Sequence, residues 1–597
     1  MAAYKAPLRD MRFVMNELFS GTTLHQLPGY EDMTPDVIDA VLEEAAKICE
    51  QVLHPINRSG DEEGCTYENG VVRTPKGFRE AYQTFCDGGW TSIACKPEFG
   101  GQGMPKLVNS MVEEMICSSN LSFGMYPGLS HGAYVALEAY GADELKQQYL
   151  PKMVSGEWSG TMCLTEPHCG TDLGMIRTKA EPRGDGSYAI TGTKIFISAG
   201  EHDLTENIIH LVLAKLPDAP EGAKGISLFL VPKFLPDADN TPGPRNGVMC
   251  GAIEHKMGIK ASATCVMNFD GATGWLVGQP HKGMQAMFAM MNTERLAVGV
   301  QGLGLGEASY QGALAYAKDR IQGRSLTGTK NPEAKADPIL VHPDVRRMLL
   351  TQKATMEGSR ALVGWVAQAL DLANHHPDPA VRQESEDLVA LLTPIVKALL
   401  TDLGYEATNI GVQVYGGHGY IREWGMEQYI RDARIAQIYE GTNGIQALDL
   451  VGRKMPANAG RSLRRFFHPV AEYLEAKGDD DDMEEFVLPL AKAFTRLQQA
   501  TGAVAQKGMV NRDEAGAAAT DYLRLFGLTA LAYLWCRTVD VARARLAEGA
   551  NGDAAFYEAK IKTARFYMQR VLPQTGALFS CIMAGGASMM DFADHEF

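Results

Sequence analysis

The spacing of apolar residues changes twice along this chain. Over residues 1–158 it is mostly helical. In 35–52, behind Thr34 as a cap, Val37, Ile38, Val41, Leu42 and Ala45 fall on one face. A second helix is predicted over 145–154, and the Gly- and Pro-rich run 97–105 breaks the helices before it. From 159 to 280 the pattern alternates, predicting strands over 188–197, 208–214, 226–232 and 263–269 with Gly, Pro and Asp turns between them. This reads as an antiparallel β domain. Helical spacing returns over 281–455. Gly302, Gly304 and Gly306 have no strand before them, so close helix packing suits them better than a nucleotide loop. A linker starts at 456–460, and helical runs follow at 486–504, 521–546 and 554–571, past a solvated acidic turn at 479–482.

Composition narrows the class. A chain of 597 residues is too long for one core, and three or four domains are expected. Hydrophobic content of 45% and charged content of 21% suit a soluble globular protein. A net charge of −16 without a long basic run argues against a nucleic-acid groove. The 11 cysteines are odd in number and never spaced C-x-x-C, which suits free thiols in a reducing, cytoplasmic setting. His375 and His376 are adjacent and cannot face one ion from one helix face, so no metal site is expected. Lys5, Arg9, Asp10 and Glu17 punctuate the N-terminus, and no stretch of 18 apolar residues is visible; neither a signal peptide nor membrane association is expected.

The chemistry centres on Gln437-Ile-Tyr-Glu-Gly-Thr-Asn-Gly-Ile-Gln446. Gly441 lets the backbone approach a flat ligand, and Thr442 offers it a hydroxyl and an N–H. Glu440, walled by Ile438 and Ile445, would be a desolvated base with a raised pKa. A helix-terminal Glu in a Gly-containing turn explains the decapeptide equally well. Its neighbours decide between the two. Gln413-Val-Tyr-Gly-Gly-His-Gly-Tyr420 and Arg431-Asp-Ala-Arg434 precede Tyr439-Glu-Gly-Thr442 within about thirty residues. That ordered series resembles the C-terminal helical domain of the acyl-CoA dehydrogenases.

Other segments resemble the same family. P-E-F-G-G-Q-G at 97–103, and Q-Y-L-P followed by S-G-E-W, resemble its N-terminal domain. Cys163-Leu-Thr-Glu-Pro-His-Cys-Gly-Thr-Asp172 resembles its flavin-contacting segment, with His168 and Cys169 replacing small residues and Thr171 replacing a serine. In 194–200, Phe196 stands where a Trp usually covers the flavin and Ser198 where a Thr bonds its polar edge. Asp319-Arg-Ile-Gln-Gly-Arg324 resembles a motif whose arginine, here Arg320, reaches FAD phosphate across a subunit interface; the aromatic residue of that motif is missing.

The resemblance implies an α+β multidomain fold: an N-terminal helical domain (1–158), a central antiparallel β-barrel domain (159–280), a C-terminal four-helix-bundle domain carrying Glu440 (281–455) and an additional C-terminal helical domain (456–597). Such a tail resembles an extended, typically dimeric branch, and the chain opening, with Tyr4, Ala6-Pro7 and Asp10, resembles the subgroup that includes 3-methylmercaptopropionyl-CoA dehydrogenase. The resemblance implies FAD as cofactor, contacted by Met162, Leu164, Thr165, Phe196, Ser198 and Thr442 and, across a subunit interface, by Arg320, Gln413 and Gly417 of a neighbouring copy. It implies an acyl-CoA substrate contacted by Thr171, Glu294 and Arg295. Glu440 would take the proton α to the thioester, FAD the β hydride, and an electron-transfer flavoprotein the electrons, leaving a trans-2-enoyl-CoA as in fatty-acid β-oxidation. A minority of the family places its base at the position of Glu294. This chain has both carboxylates, and Glu440 is preferred because its loop matches the common pattern. His418 stands where Asn is common and is read as a turn residue, and Gly444 lacks the Gln side chain often found there. An oxidase returning electrons to oxygen, and an acyl-CoA-binding assembly protein on the same fold, are the alternative readings. Acyl chain length, branching and thioether preference stay open.

Overall fold

Strands form over all four predicted stretches, and at further places besides. The computed structural model describes residues 4–19 and 21–597. A hairpin, β1 (Thr66–Glu68) and β2 (Val71–Arg73), precedes the main sheet. The later strands are β3 (Trp158–Cys163), β4 (Lys179–Pro182), β5 (Tyr188–Ser198), β6 (Asn207–Lys215), β7 (Ile226–Pro232), β8 (Phe234–Pro236), β9 (Pro242–Arg245), β10 (Val248–Ile253) and β11 (Thr264–Val277). Seven of them share one sheet in the order β10-β11-β5-β4-β6-β3, with β7 pairing both β11 and β6. β7 is buried at every position, so its sequence is a continuous apolar run; β10 and β11 alternate.

The expected antiparallel barrel is not what forms. β3 runs parallel to β6, and β4 meets β6 through the single pair Lys179↔Lys215, so the sheet does not close. β4 is only 4 residues long; all four pair with β5, and only Lys179 meets β6. Alternation reports which face a side chain takes, not strand direction or closure. β1 to β4 and β8 to β10 lie outside the predicted strands. β3 carries Gly160, where a Cβ would press on Ala133 and Met153, so close approach rather than alternation shapes it.

The chain divides into two compact units. One comprises Lys47–Met104 and Ser119–Ala297. Its core joins Tyr149, Trp158, Leu211, Leu228 and Met287, tying the sheet to helix Asp143–Ser155 and to the start of helix Gly283–Asp319.

The other comprises Met1–Ala46, Pro105–Ser118 and Val298–Phe597. Its long helices are Pro343–His375, Pro379–Tyr415 and the remainder of Gly283–Asp319, with the short helices Met426–Arg434 and Asn443–Asp449 packed on the second of these. The glycines of 302–306 do mark close packing: a Cβ on Gly302 would lie 2.4 Å from the Leu400 carbonyl, and Gly404 faces Gly302 in return. The tail helices Arg461–Lys477, Glu484–Val510, Arg512–Ala547 and Ala554–Phe566 belong to the same unit. Trp535 of the tail donates to the Ala354 carbonyl at 3.2 Å and abuts Gly358. Buried Arg360 binds Asp10, Glu114 (2.5 Å) and Glu307 (3.0 Å), and Lys560 of the tail binds Asp10 and Glu357 (2.8 Å). Burial outweighs Arg360 at Glu114 and lifts that carboxyl to about 7. Two helices, Pro379–Tyr420 and Arg512–Ala547, are long and apolar enough to cross a membrane, but 72% and 83% of their apolar windows lie inside the protein, as in core helices.

Candidate active site

Glu440 stands at the crest of a short loop. A 3-10 turn, Ile435–Gln437, leads in, and helix Asn443–Asp449 leads out with Thr442 as its cap, the Thr442 hydroxyl accepting from Ile445 N at 3.3 Å. Glu440 has φ +55° and Gly441 φ +82°. Glycine takes that left-handed conformation freely, whereas a glutamate there costs about 1–3 kcal/mol and persists only where its surroundings over-determine it. The surroundings are polar and specific. Buried Gln446 donates Nε2 to the carbonyls of Glu440 (3.1 Å) and Gly441 (3.2 Å). Tyr439 donates its hydroxyl to Gln301. The Glu440 side chain is half-buried and Thr442 is exposed. Ile438, expected as a wall beside Glu440, is 47% exposed, so it does not dry the carboxylate within this chain.

The same unit carries Gln413, Gly417 and Arg320. Gln413 lies exposed at the last turn of helix Pro379–Tyr415, and its carbonyl receives Gly416 N. Gly417 is exposed, with nothing within 4 Å of where a Cβ would stand. His418 bonds Tyr316 at 2.8 Å and stacks on Trp424, the structural part expected of a turn residue. Arg320 follows the end of helix Gly283–Asp319 with its side chain exposed. Arg324 is engaged by Asp337 and by the carbonyls of Asn331 and Ala334. The loop missing the family's aromatic residue wraps instead around Asp337, whose carboxylate accepts from the backbone of Ser325 (2.9 Å), Asn331 (2.7 Å) and Lys330 (3.0 Å). Those N–H groups, Ser325 foremost, hold Asp337 below the usual carboxylate range.

The other unit carries the remaining predicted residues. Met162 is half-buried near the end of β3, with Leu164 buried and Thr165 half-buried just beyond it. Two contacts pin this segment to β5: Ile195 N donates to the Thr165 carbonyl at 2.9 Å, and Lys194 Nζ to the Leu164 carbonyl at 2.9 Å. Lys194 Nζ also lies 2.8 Å from Glu166, which further accepts from Arg177 N (2.7 Å) and Thr178 Oγ1 (2.6 Å). Burial alone would raise Glu166, but Lys194 and these hydrogen bonds bring it below its usual range; burial pushes the Lys194 ammonium down. Sequence reasoning missed this pin, although a lysine at an inward strand position signals a buried partner.

Phe196 departs from its strand. Between Cys265↔Ile197 and Met267↔Lys194 the register of β5 and β11 shifts, so two residues of β5 oppose one of β11. At this bulge Phe196 takes φ +59° and turns outward, 59% exposed, whereas plain alternation would send it into the core. Ser198 is half-buried two residues on, and Thr171 is exposed on the loop after β3. Glu294 and Arg295 are both buried on helix Gly283–Asp319. The Glu294 carboxylate lies over the bare Cα of Gly132, where a Cβ would come within 2.3 Å of it.

Glu166, His168 and Cys169 place ligand-type atoms within 4.8 Å of one another. Glu166 is already held by Lys194, and His168 Nε2 sits 2.9 Å from the Met175 carbonyl, to which it must donate. The cluster is a braced turn.

Comparison with known proteins agrees over the length of the chain. Residues 36–157, 161–272 and 281–455 match the N-terminal, middle and C-terminal domains of acyl-CoA dehydrogenases, and 466–593 match a domain described as acetyl-CoA dehydrogenase C-terminal like. The 3-methylmercaptopropionyl-CoA dehydrogenase of Ruegeria pomeroyi is 43% identical, covering 98% of this chain and 99% of that protein. The broad-specificity linear acyl-CoA dehydrogenase FadE5 of Mycobacterium tuberculosis is 35% identical, covering 96% of each. The solved structure of Caenorhabditis elegans ACDH-11 in complex with C11-CoA shares the fold at TM-score 0.76 and 19% identity, covering 95% of this chain and 91% of that one.

Proposed function

The chain belongs to the acyl-CoA dehydrogenase family, and we propose that it oxidises an acyl-CoA thioester to the trans-2-enoyl-CoA with Glu440 as the base. The observation that carries this is the conformation of Glu440: a carboxylate on a left-handed residue, braced by Gln446 at the mouth of a helix cap. An ordinary turn would place glycine there.

The residues fit a flavin dinucleotide. The outward Phe196 ring offers an apolar face to a planar ring system; toward the flavin of a neighbouring copy, the open Gly417 would admit close approach and the exposed Arg320 would suit a pyrophosphate. By the resemblance, Met162, Leu164, Thr165, Ser198 and Thr442 are further contacts, and Gln413 is one toward the flavin of a neighbouring copy. FAD, when bound, supplies the acceptor for the β hydride. The protein's part is proton transfer and position. Glu440 takes the α proton, and its own backbone N–H faces the thioester oxygen as charge develops there, a kind of contact worth roughly 3 kcal/mol. Thr171 and Arg295 hold the CoA side of the substrate. Glu294, fixed against Gly132, shapes the acyl end.

In this reading residues 1–158, 159–280, 281–455 and 456–597 are the family's N-terminal, middle, bundle and additional domains. The protein is a cytoplasmic homodimer, and its electrons go to an electron-transfer flavoprotein. The likeness to relatives named for a thioether substrate and for linear chains supports short or straight acyl-CoAs, a thioether among them.

Glu440→Gln is expected to retain FAD and lose turnover by about a hundred- to ten-thousandfold. An active Glu440→Gln beside an inactive Glu294→Gln would move the base to residue 294. Peroxide formation at a rate matching substrate consumption would make the enzyme an oxidase. A yellow protein that no acyl-CoA bleaches anaerobically would favour an acyl-CoA-binding role.

A further inference from the structure

One carboxylate oxygen meets both ends of the Glu440 loop. Asp402 lies on helix Pro379–Tyr415, and its Oδ1 accepts from Gln437 Nε2 and from Asn443 Nδ2, both at 2.7 Å. Gln437 ends the turn that enters the loop, and Asn443 begins the helix that leaves it. Asp402 therefore clasps the two ends of the loop together.

The Asn443 amide is oriented by charge. Its Oδ1 faces Lys397 Nζ at 2.9 Å, and its Nδ2 faces Asp402 and Thr401 Oγ1 (2.9 Å). The flipped amide would put its NH2 against an ammonium and its oxygen against a carboxylate, so only one orientation is favourable. Lys397 and Thr401 are buried and stand one turn apart on the helix that carries Asp402. With Gln446 holding the carbonyls of Glu440 and Gly441 from the exit helix, the loop is bound from both sides. Such bracing is what a non-glycine residue at φ +55° requires.

We propose that Asp402 is a positioning residue for the reaction: through Gln437 and Asn443 it closes the foot of the loop, keeps Glu440 left-handed and sets the aim of its carboxylate, with Lys397 fixing the Asn443 amide. This rests on the reading of Glu440 as the base. Asp402 acts through Gln437 and Asn443, not on the reacting atoms. Its removal should let the loop relax, so that the carboxylate is present but misdirected.

The test uses the FAD-loaded enzyme. Asp402→Leu cannot accept a hydrogen bond, whereas Asp402→Asn keeps an oxygen at the same place. Asp402→Leu is expected to keep its flavin and its KM within about threefold and to lose kcat by about 10- to 100-fold, the scale of a small misplacement of a reacting group. Anaerobic bleaching of the flavin by acyl-CoA should slow in parallel. Asp402→Asn is expected to recover most of that loss. Unchanged kcat in Asp402→Leu, or equal loss in both variants, would overturn the proposal. Should Asp402→Leu not fold, Gln437→Met removes one arm of the clasp and is expected to lower kcat by about 3- to 10-fold at constant KM, on the same scale of misplacement; no loss there overturns the proposal equally. Glu440→Gln run alongside separates the two readings. If it is inactive while Asp402→Leu is fully active, the clasp alone is wrong. If it is active, the base assignment falls and the clasp with it.

Discussion

Lys194 Nζ lies 2.8 Å from Glu166 Oε1, and both side chains are buried. The pair joins β5 to the segment after β3, and Lys194 also holds the Leu164 carbonyl. The resemblance puts flavin contacts on both of these segments. Breaking the pair should therefore disturb stability and cofactor retention together.

Lys194→Met leaves the Glu166 carboxylate buried without its cation. The expected cost is about 3–5 kcal/mol, the range for removing one member of a buried ion pair. Denaturant unfolding of the apoprotein measures it, and the double variant Lys194→Met/Glu166→Gln should recover part of the loss. A single variant as stable as the parent would mean that the pair is not closed in solution.

Phe196 is exposed at its bulge, so Phe196→Ala should change apoprotein stability by no more than about 0.5 kcal/mol. FAD affinity should fall by about 2- to 10-fold, matching the worth of one aromatic contact. Titration of apoprotein with FAD, followed by flavin fluorescence, reads this directly. A large drop in stability with unchanged affinity would return Phe196 to a purely structural part.

His202 and His210 carry an acid dependence. Burial pushes both down to about 3, below the usual 6.5, while Ser159 and Thr161 bond their rings. The folded protein therefore disfavours a proton that the unfolded chain binds. Their contribution to stability is complete above about pH 6.5 and is lost as pH falls towards 3, at up to about 1.4 kcal/mol per pH unit for each. His210→Gln should flatten the slope of unfolding free energy against pH between 6 and 4, measured in urea. An unchanged slope would show that His210 takes up its proton in the folded state.

Gly302→Ala would place a methyl group 2.4 Å from the Leu400 carbonyl. Main chain cannot swing aside as a side chain can, so the helices must separate, at about 1–3 kcal/mol. Gly417→Ala meets nothing within 4 Å and should leave stability unaltered. Its effect, if the flavin reading holds, is weaker FAD retention, seen as loss of yellow colour on gel filtration.

Much of this protein is legible in its order of residues. Alternation marks β5 and β11, continuous apolar runs mark β6 and β7, helical spacing marks the long helices and the tail, and the spacing of three motifs singles out Glu440. These features are local, because a side chain's face follows from its neighbours' period. The glycines of 302–306 were readable for the same reason: small residues at helical spacing promise a close neighbour.

What tertiary structure decided is of another kind. Strand direction and the failure of the sheet to close depend on which strands meet, and β3 and β4 show no period that tells. Phe196 faces outward because one extra residue in β5 is absorbed as a bulge against β11, and that mismatch exists only once the two strands pair. Lys194 with Glu166, and Asp402 with Gln437 and Asn443, are charges and amides matched across separations of 28, 35 and 41 residues. Burial makes each such match obligatory, since an ion or amide taken out of water must find its partner, but only the folded chain chooses which partner it finds.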